Sequence, residues 1–407
     1  MLLSESKGHV MTLDKLQEIP ADAILGLMTA FRADPSSQKI DLTVGVYRDD
    51  NGNTPVMRAV EASEERLIQA QTTKSYISPL GINGYREGLR KTVLGPVDES
   101  VNSRTSVIQT PGGCGALRVA AELYVRTKTG DTAFMSDPTW GNHLGIMGAA
   151  GLKLDSYPYY NPVTHELEID RMLDRLENIP ERSLVILQAS SHNPTGEDPS
   201  VENWNAIIDI VEKRNLVPLF DLAYQGLGDN MDDDVASVRM AAQRLPEMFV
   251  SVSCSKNFGL YRERTGALIS IGHNDAQQAV LNSQAANIAR GTYSMSPAHG
   301  PLIVAGIFED EGLVNMWQEE LTEMRGRING LRNQFADALV AERPDLDTNW
   351  IRKQRGMFSL LGIPTQQVDD LRENQHIYMV RDSRINIAGF NDENIPVVAK
   401  AVAPLMS

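Results

Sequence analysis

Ser253-Cys254-Ser255-Lys256-Asn257-Phe258-Gly259-Leu260-Tyr261 is the stretch that decides how this chain is read. The apolar run before it, Met248 to Val252, reads as a buried strand and delivers Lys256 to the strand's end, beside Arg262 and Arg264 in the sequence. A lysine close to other cations is expected to give up its proton more readily and to attack a carbonyl as a neutral amine. Most lysines are solvated surface groups. The weight therefore rests on what the neighbouring strand ends bring to the same place.

Two more apolar runs end in polar residues of the right kind. Leu184-Val185-Ile186-Leu187 leads into Ser190-Ser191-His192-Asn193, and Leu216-Val217-Pro218-Leu219-Phe220 leads into Asp221 and Tyr224. The gaps from Asn193 to Asp221 and from Asp221 to Lys256 are about 28 and about 35 residues, each close to one strand-helix-strand unit. Asn193, Asp221 and Lys256 are thereby expected at one carboxyl edge of a parallel sheet, where open α/β sheets bind ligands. A carboxylate there can keep a pyridine nitrogen protonated while a lysine holds an aldehyde as an imine. Together they describe a site for pyridoxal phosphate.

Seven strands are expected in the centre of the chain: 106–109, 132–136, 152–157, 184–188, 216–221, 248–253 and 267–271. Helical patterns separate most of them, as over 201–215, where Val201, Trp204, Ile207, Ile208 and Val211 share one face. This alternation predicts an α/β fold with a mostly parallel sheet covered by helices on both faces. The last strand follows Lys256 by a link too short for a crossover, so it should run antiparallel. From Leu313 to Leu339 apolar residues step by threes and fours, which predicts one helix over about 311–342, roughly 45 Å long. Ser106 to Gln109, the glycines around Cys114 and the helical run Ala116 to Val125 form a strand, a glycine-rich turn and a helix N-terminus, a combination suited to a phosphate.

Composition narrows the class. The 407 residues are 42% hydrophobic, enough for one large domain and a smaller one. A net charge of −15 with both signs mixed along the chain argues against nucleic acid and against an anionic membrane. Two cysteines, Cys114 and Cys254, imply no disulfide framework. The seven histidines and two cysteines show no metal-ligand spacing. Met1 to His9 lacks the apolar core of a signal peptide, so the expectation is a cytoplasmic protein.

Five motifs in order carry a resemblance: Gln109-Thr110-Pro111-Gly112-Gly113-Cys114-Gly115-Ala116-Leu117-Arg118, His192-Asn193-Pro194-Thr195-Gly196, Asp221-Leu222-Ala223-Tyr224-Gln225-Gly226, the run around Lys256, and Arg384-Ile385-Asn386-Ile387-Ala388-Gly389. From about Ala21 onward the chain resembles the aspartate and aromatic amino-acid aminotransferases, class I enzymes of pyridoxal phosphate fold type I. The resemblance implies a seven-stranded large domain over 54–322 and a smaller α+β domain from 1–53 plus 323–407, with cis bonds before Pro138 and Pro194. It implies ping-pong transamination between an L-amino acid and 2-oxoglutarate through an internal aldimine on Lys256, the lysine also moving the Cα proton.

Residue roles follow from the same resemblance. Asp221 pairs with the pyridinium nitrogen, Asn193 and Tyr224 with the ring's phenolic oxygen, and Trp140 stacks on the ring. Gly113, Cys114, Ser253, Arg264 and Tyr76 from a second subunit form the phosphate cup. Cys114 stands where the family usually has threonine or serine, and a thiol is the poorer donor, so cofactor retention is expected to be weaker. Arg384, with Gly45, Trp140 and Asn193 beside it, holds the substrate α-carboxylate in a bidentate fork. Arg290, lent with Ser294 across a two-fold interface, holds a side-chain carboxylate. His143 and His192 are expected to be hydrogen-bonded supports. Aspartate is favoured as substrate, with aromatic amino acids the alternative because Met295 and Cys114 make the pocket edge less polar; a fold type I lyase or a non-catalytic binding protein is the more remote reading.

Overall fold

The computed structural model describes residues 12–19 and 23–406; the reading of Met1 to His9 lies outside them. Seven strands form the central sheet: β1 (Thr105–Pro111), β2 (Thr132–Asp137), β3 (Lys153–Pro158), β4 (Leu184–Gln188), β5 (Val217–Leu222), β6 (Met248–Ser253) and β7 (Thr265–Ile271). Their order is β1-β7-β6-β5-β4-β2-β3. β4, β5 and β6 run parallel, and β7 is antiparallel to both its neighbours, β6 and β1. All seven expected strands are present, each within two residues at either end, and the antiparallel direction after Lys256 is as expected.

Alternation along each strand fills two cores. Phe134, Val185, Leu187, Phe220 and Val250 belong to one hydrophobic cluster, while Ala133, Met135, Leu184, Ile186, Leu219 and Phe249 belong to the other. Successive side chains point to opposite faces of a strand, so runs such as Leu184–Gln188 must be apolar throughout because helices cover both faces. Every residue of β4, β5 and β6 is buried. Polar residues lie toward the carboxyl ends of these strands, and Gln188, Asp221 and Ser251 are level with one another in the pairing register.

Two helices matter for the site. The first, α1 (Ala23–Ala33), lies near the N-terminus, and α2 (Gly112–Thr127) follows β1 directly. The glycine turn expected before α2 is instead its first turn. Gly112 has φ of +71°, a left-handed conformation available to glycine, so the chain leaves the strand and enters the helix without an intervening loop.

A third helix, α3 (Glu311–Glu342), is 32 residues long, matching the expected span. Asp310 caps it by accepting from Leu313 N at 3.0 Å. Its buried side includes Trp317, Leu321, Met324, Ile328, Leu331 and Phe335. Trp317 donates from Nε1 to Asn257 O at 2.6 Å and stacks on Phe258, with centroids 4.4 Å apart. The turn that carries Lys256 is thereby anchored to the longest helix of the molecule.

Beyond the main sheet, Ile40–Asp41 pairs in parallel with Ile377–Tyr378. Two further strands, β8 (Phe358–Leu360) and β9 (Arg384–Asn386), pair antiparallel with Leu360 opposite Arg384. The bonds before Pro138 and Pro194 are cis, as the resemblance implied. Among the described residues no helix is long and apolar enough to cross a membrane.

Glu320 of α3 illustrates how that helix holds the molecule together. The helix Arg58–Ala70 starts after Met57, which offers no side-chain cap. Glu320 replaces it, accepting from Arg58 N at 2.6 Å and Ala59 N at 3.0 Å. A carboxylate at a helix N-terminus satisfies otherwise orphaned donors and complements the dipole. Glu320→Ala is expected to lower unfolding stability by about 2 kcal/mol, read as an earlier denaturant midpoint; an unchanged midpoint would mean that water serves these N–H groups equally well.

Candidate functional site

At the carboxyl ends of β4, β5 and β6 lies a cleft of about 430 Å³. Gly45, Gly113, Cys114, Trp140, Asn193, Asp221, Tyr224, Ser253, Lys256, Arg264 and Arg384 all line it. Residues from positions 45 to 384 therefore meet at one edge of the sheet. Two of the expected site residues do not: Tyr76 is 89% exposed, and Arg290, also exposed, donates to Ser294 Oγ at the end of its own helix, Asp275–Thr292.

Lys256 is half-buried, with Nζ 4.9 Å from the Tyr224 ring centroid. No hydrogen-bond acceptor or carboxylate partner is recorded for it among the described residues, so its amine faces the cleft unengaged. Of the two arginines expected to crowd it, Arg264 lines the cleft and Arg262 is exposed outside it. Arg264 has φ of +52° in the turn before β7 and anchors Nη1 on Tyr261 O at 2.8 Å.

Asp221 is the penultimate residue of β5 and is 8% exposed. Its Oδ2 lies 3.1 Å from His143 Nε2, and His143 Nδ1 lies 2.8 Å from Thr139 Oγ1. His143 is fully buried and hydrogen-bonded through both nitrogens, fixing the carboxylate in orientation. His192 bridges Ser136 Oγ and Thr195 Oγ1, both at 2.9 Å. Burial drives its pKa well below the ordinary histidine value, and the nearby His143 adds to this, so its ring is neutral.

Arg384 is 4% exposed and has no carboxylate within ion-pair distance among the described residues. It donates from Nη1 to Asn193 Oδ1 at 3.0 Å and from Nη2 to Thr43 O at 2.8 Å, and its Nε has no partner. Burial pulls its pKa below the usual value, yet a guanidinium stays charged at neutral pH. A buried cation without a counter-ion, beside a cleft, is suited to an anionic ligand. Asn193 is held between Arg384 and the Tyr224 hydroxyl, the latter 3.5 Å from Nδ2.

The start of α2 has the shape and donors to take an anion. An added Cβ on Gly112 would come within 2.3 Å of Arg264 Nη2, and one on Gly113 within 3.2 Å of Ser253 Cβ. Only glycine lets the arginine and the helix N-terminus approach this closely. Cys114 Sγ accepts from Asn142 Nδ2 at 3.5 Å. Met295, expected at the pocket edge, instead accepts at Sδ from Ile77 N at 3.4 Å and does not line the cleft.

Sequence reading missed Ile24, Leu25 and Met28 of α1, which also line the cleft, along with Val44, Gln188, Tyr261 and Phe358. The apolar members carry no chemical signal that separates a cleft wall from a core. Gln188 offered one, as the polar end of an otherwise apolar strand.

With this geometry in hand, similarity to known proteins is informative. The sequence profile of the family described as aminotransferase class I and II matches residues 37–402. An aromatic-amino-acid aminotransferase of Pseudomonas aeruginosa is 43% identical over 390 residues, covering 96% of this chain and 98% of that protein. An aspartate aminotransferase of Haemophilus influenzae is 38% identical over 394 residues, covering 97% and 100%. The crystal structure of an aromatic-amino-acid aminotransferase from Burkholderia pseudomallei, covalently bound to pyridoxal phosphate, superposes with a TM-score of 0.94 at 37% identity, covering 98% of this chain and 100% of that one.

Proposed function

The chain belongs to the class I and II aminotransferase family, and from that premise we propose that it transfers amino groups between aromatic amino acids or aspartate and 2-oxoglutarate, using pyridoxal phosphate. One observation carries the reading: an unengaged lysine amine, an oriented carboxylate and a buried arginine without a counter-ion share one cleft.

The residues present fit the cofactor. Lys256 Nζ would hold it covalently, Asp221 would face the ring nitrogen, Trp140 would lie against the ring, and Asn193 and Tyr224 would reach its oxygen. Ser253, Arg264 and the backbone N–H groups of Gly113 and Cys114 would take the phosphate. Pyridoxal phosphate, when bound, supplies an aldehyde for the substrate amine and a ring that accepts the electron pair released at the substrate Cα.

The protein supplies placement and proton movement. Arg384 would fix the substrate α-carboxylate with N–H groups already oriented by Asn193 and Thr43, which sets the direction of the Cα–H bond. Lys256 Nζ, freed when substrate takes its place, would remove that proton and return it one bond away, so a single base serves both steps. His143 would keep Asp221 oriented throughout.

Substrate choice is read from two features. Ile24, Leu25 and Met28 give the cleft an apolar wall that suits an aromatic side chain, and the relatives include aromatic and aspartate enzymes. Arg290 and Tyr76, exposed on this chain, are proposed to complete the site of a second copy in a two-fold dimer, Arg290 meeting a side-chain carboxylate. The large unit over 54–322 and the smaller one from 1–53 with 323–407 are proposed as the two domains. Steady-state assays of tyrosine, phenylalanine and aspartate against 2-oxoglutarate test the reading. All three are expected to turn over, with kcat/KM values within about 100-fold of one another; turnover of only one class would reject dual specificity, and turnover of none would reject the function.

A further inference from the structure

We propose that Phe358 and Arg332 are positioning residues for the Arg384 guanidinium, Arg332 fixing the backbone that presents Phe358 and Phe358 holding the arginine's plane. The inference rests on the reading of Arg384 as the carboxylate-binding group.

Arg332 lies on the buried side of α3 and is 1% exposed, with no carboxylate at ion-pair distance among the described residues. Burial pulls its pKa down to about 9, which still leaves it charged at neutral pH. Taking such an ion out of water is costly unless its donors are well used. Its two Nη groups are used on one short segment, while Nε has no partner among the described residues. Nη1 reaches Ser359 Oγ at 2.6 Å, Ile351 O at 3.4 Å and Gln354 Oε1 at 3.5 Å, and Nη2 reaches Gly356 O at 2.7 Å and Phe358 O at 3.2 Å. Every acceptor falls between positions 351 and 359. The same segment is tied to the loop after Asn193, since Arg355 N donates to Gly196 O at 2.7 Å.

Phe358 is what this segment delivers. It opens β8, opposite Asn386, so it is the diagonal neighbour of Arg384 across the strand pair. The Arg384 guanidinium carbon lies 4.3 Å from its ring centroid, a close cation–π contact. The ring cannot retreat: a Cβ on Gly45 would lie 2.7 Å from its Cζ, and the Tyr224 ring meets it edge-on at 6.0 Å. A guanidinium lying on an aromatic face keeps its N–H groups in one plane. With Nη1 and Nη2 bound to Asn193 and Thr43, the fork is oriented before any ligand arrives.

The test uses the protein loaded with pyridoxal phosphate and 3-phenylpropionate as a carboxylate probe, its Kd measured by calorimetry. Phe358→Leu is expected to weaken binding about 5–30-fold, but by less than about 2-fold when Arg384→Leu is already present, because the ring acts through the arginine. Arg332→Met should resemble Phe358→Leu, and Arg332→Lys should recover part of the loss. Where Arg332→Met does not fold, the Phe358 and Arg384 pair decides. Equal losses from Phe358→Leu with and without Arg384 would overturn the proposal, as would no loss in the parent protein. If Arg384→Leu itself leaves the probe's affinity unchanged, the carboxylate-clamp reading fails instead.

Discussion

Lys256→Ala is expected to reduce kcat/KM for every amino donor by at least about 10⁴-fold while leaving the folded state intact. On the proposed function, two roles vanish with one side chain: the covalent hold on the cofactor and the base that moves the Cα proton. Acid–base catalysis by a positioned group alone contributes about 10²–10⁴-fold. Among the described residues no other lysine lines the cleft, so none of them stands ready to replace it. The fold should tolerate the change, because the turn is held by Trp317 bonding to Asn257 O and stacking on Phe258 rather than by Lys256 itself. Steady-state rates and a thermal melt on the same preparation check both halves. Activity within about 10-fold of the parent would place the chemistry elsewhere.

Arg384→Leu should cost about 10²–10³-fold in kcat/KM, chiefly through KM. The guanidinium is the charge in the cleft that is both buried and without a counter-ion, so a carboxylate arriving there gains a charge-assisted, two-pronged contact in a site shielded from water. Its removal also frees Asn193 Oδ1 and Thr43 O, which lose their donor at 3.0 and 2.8 Å. Arg384→Lys should recover little, since an ammonium can neither fork nor lie flat on the Phe358 ring. An unchanged KM with a lowered melting temperature would make Arg384 a structural cation instead.

The strands and the long helix were legible because burial leaves a simple imprint. A strand covered on both faces must be apolar throughout, so Leu184–Gln188 and Met248–Ser253 announce themselves, and the polar residue that ends each one marks the functional edge. Helix α3 was legible because its apolar stripe persists from Leu313 to Leu339, over about seven turns. Lys256, Asp221 and Asn193 could be gathered at one edge by counting strand-helix units alone.

Other features depend on geometry that no local pattern records. Arg262 and Arg264 are two positions apart, yet only Arg264 lines the cleft, and nothing in the local sequence separates them. The start of α2 moved to Gly112 because a glycine at positive φ can serve as a helix's first residue. Ile24, Leu25 and Met28 reach the cleft from a helix more than 200 residues away from Lys256 in sequence, and an apolar side chain gives no sign of whether it faces a core or a ligand. Arg332 was unread for a related reason: an arginine amid the stripe of α3 looks like a solvated residue, yet it is among the most buried side chains of the molecule.

The central claim is that Lys256 carries the cofactor. Borohydride reduction of the protein loaded with pyridoxal phosphate, followed by peptide mass mapping, tests it directly. A reduced pyridoxyl phosphate group on the peptide containing Lys256, stoichiometric and absent from Lys256→Ala, is the expected result; the same group on a different lysine, or on none, would contradict the account.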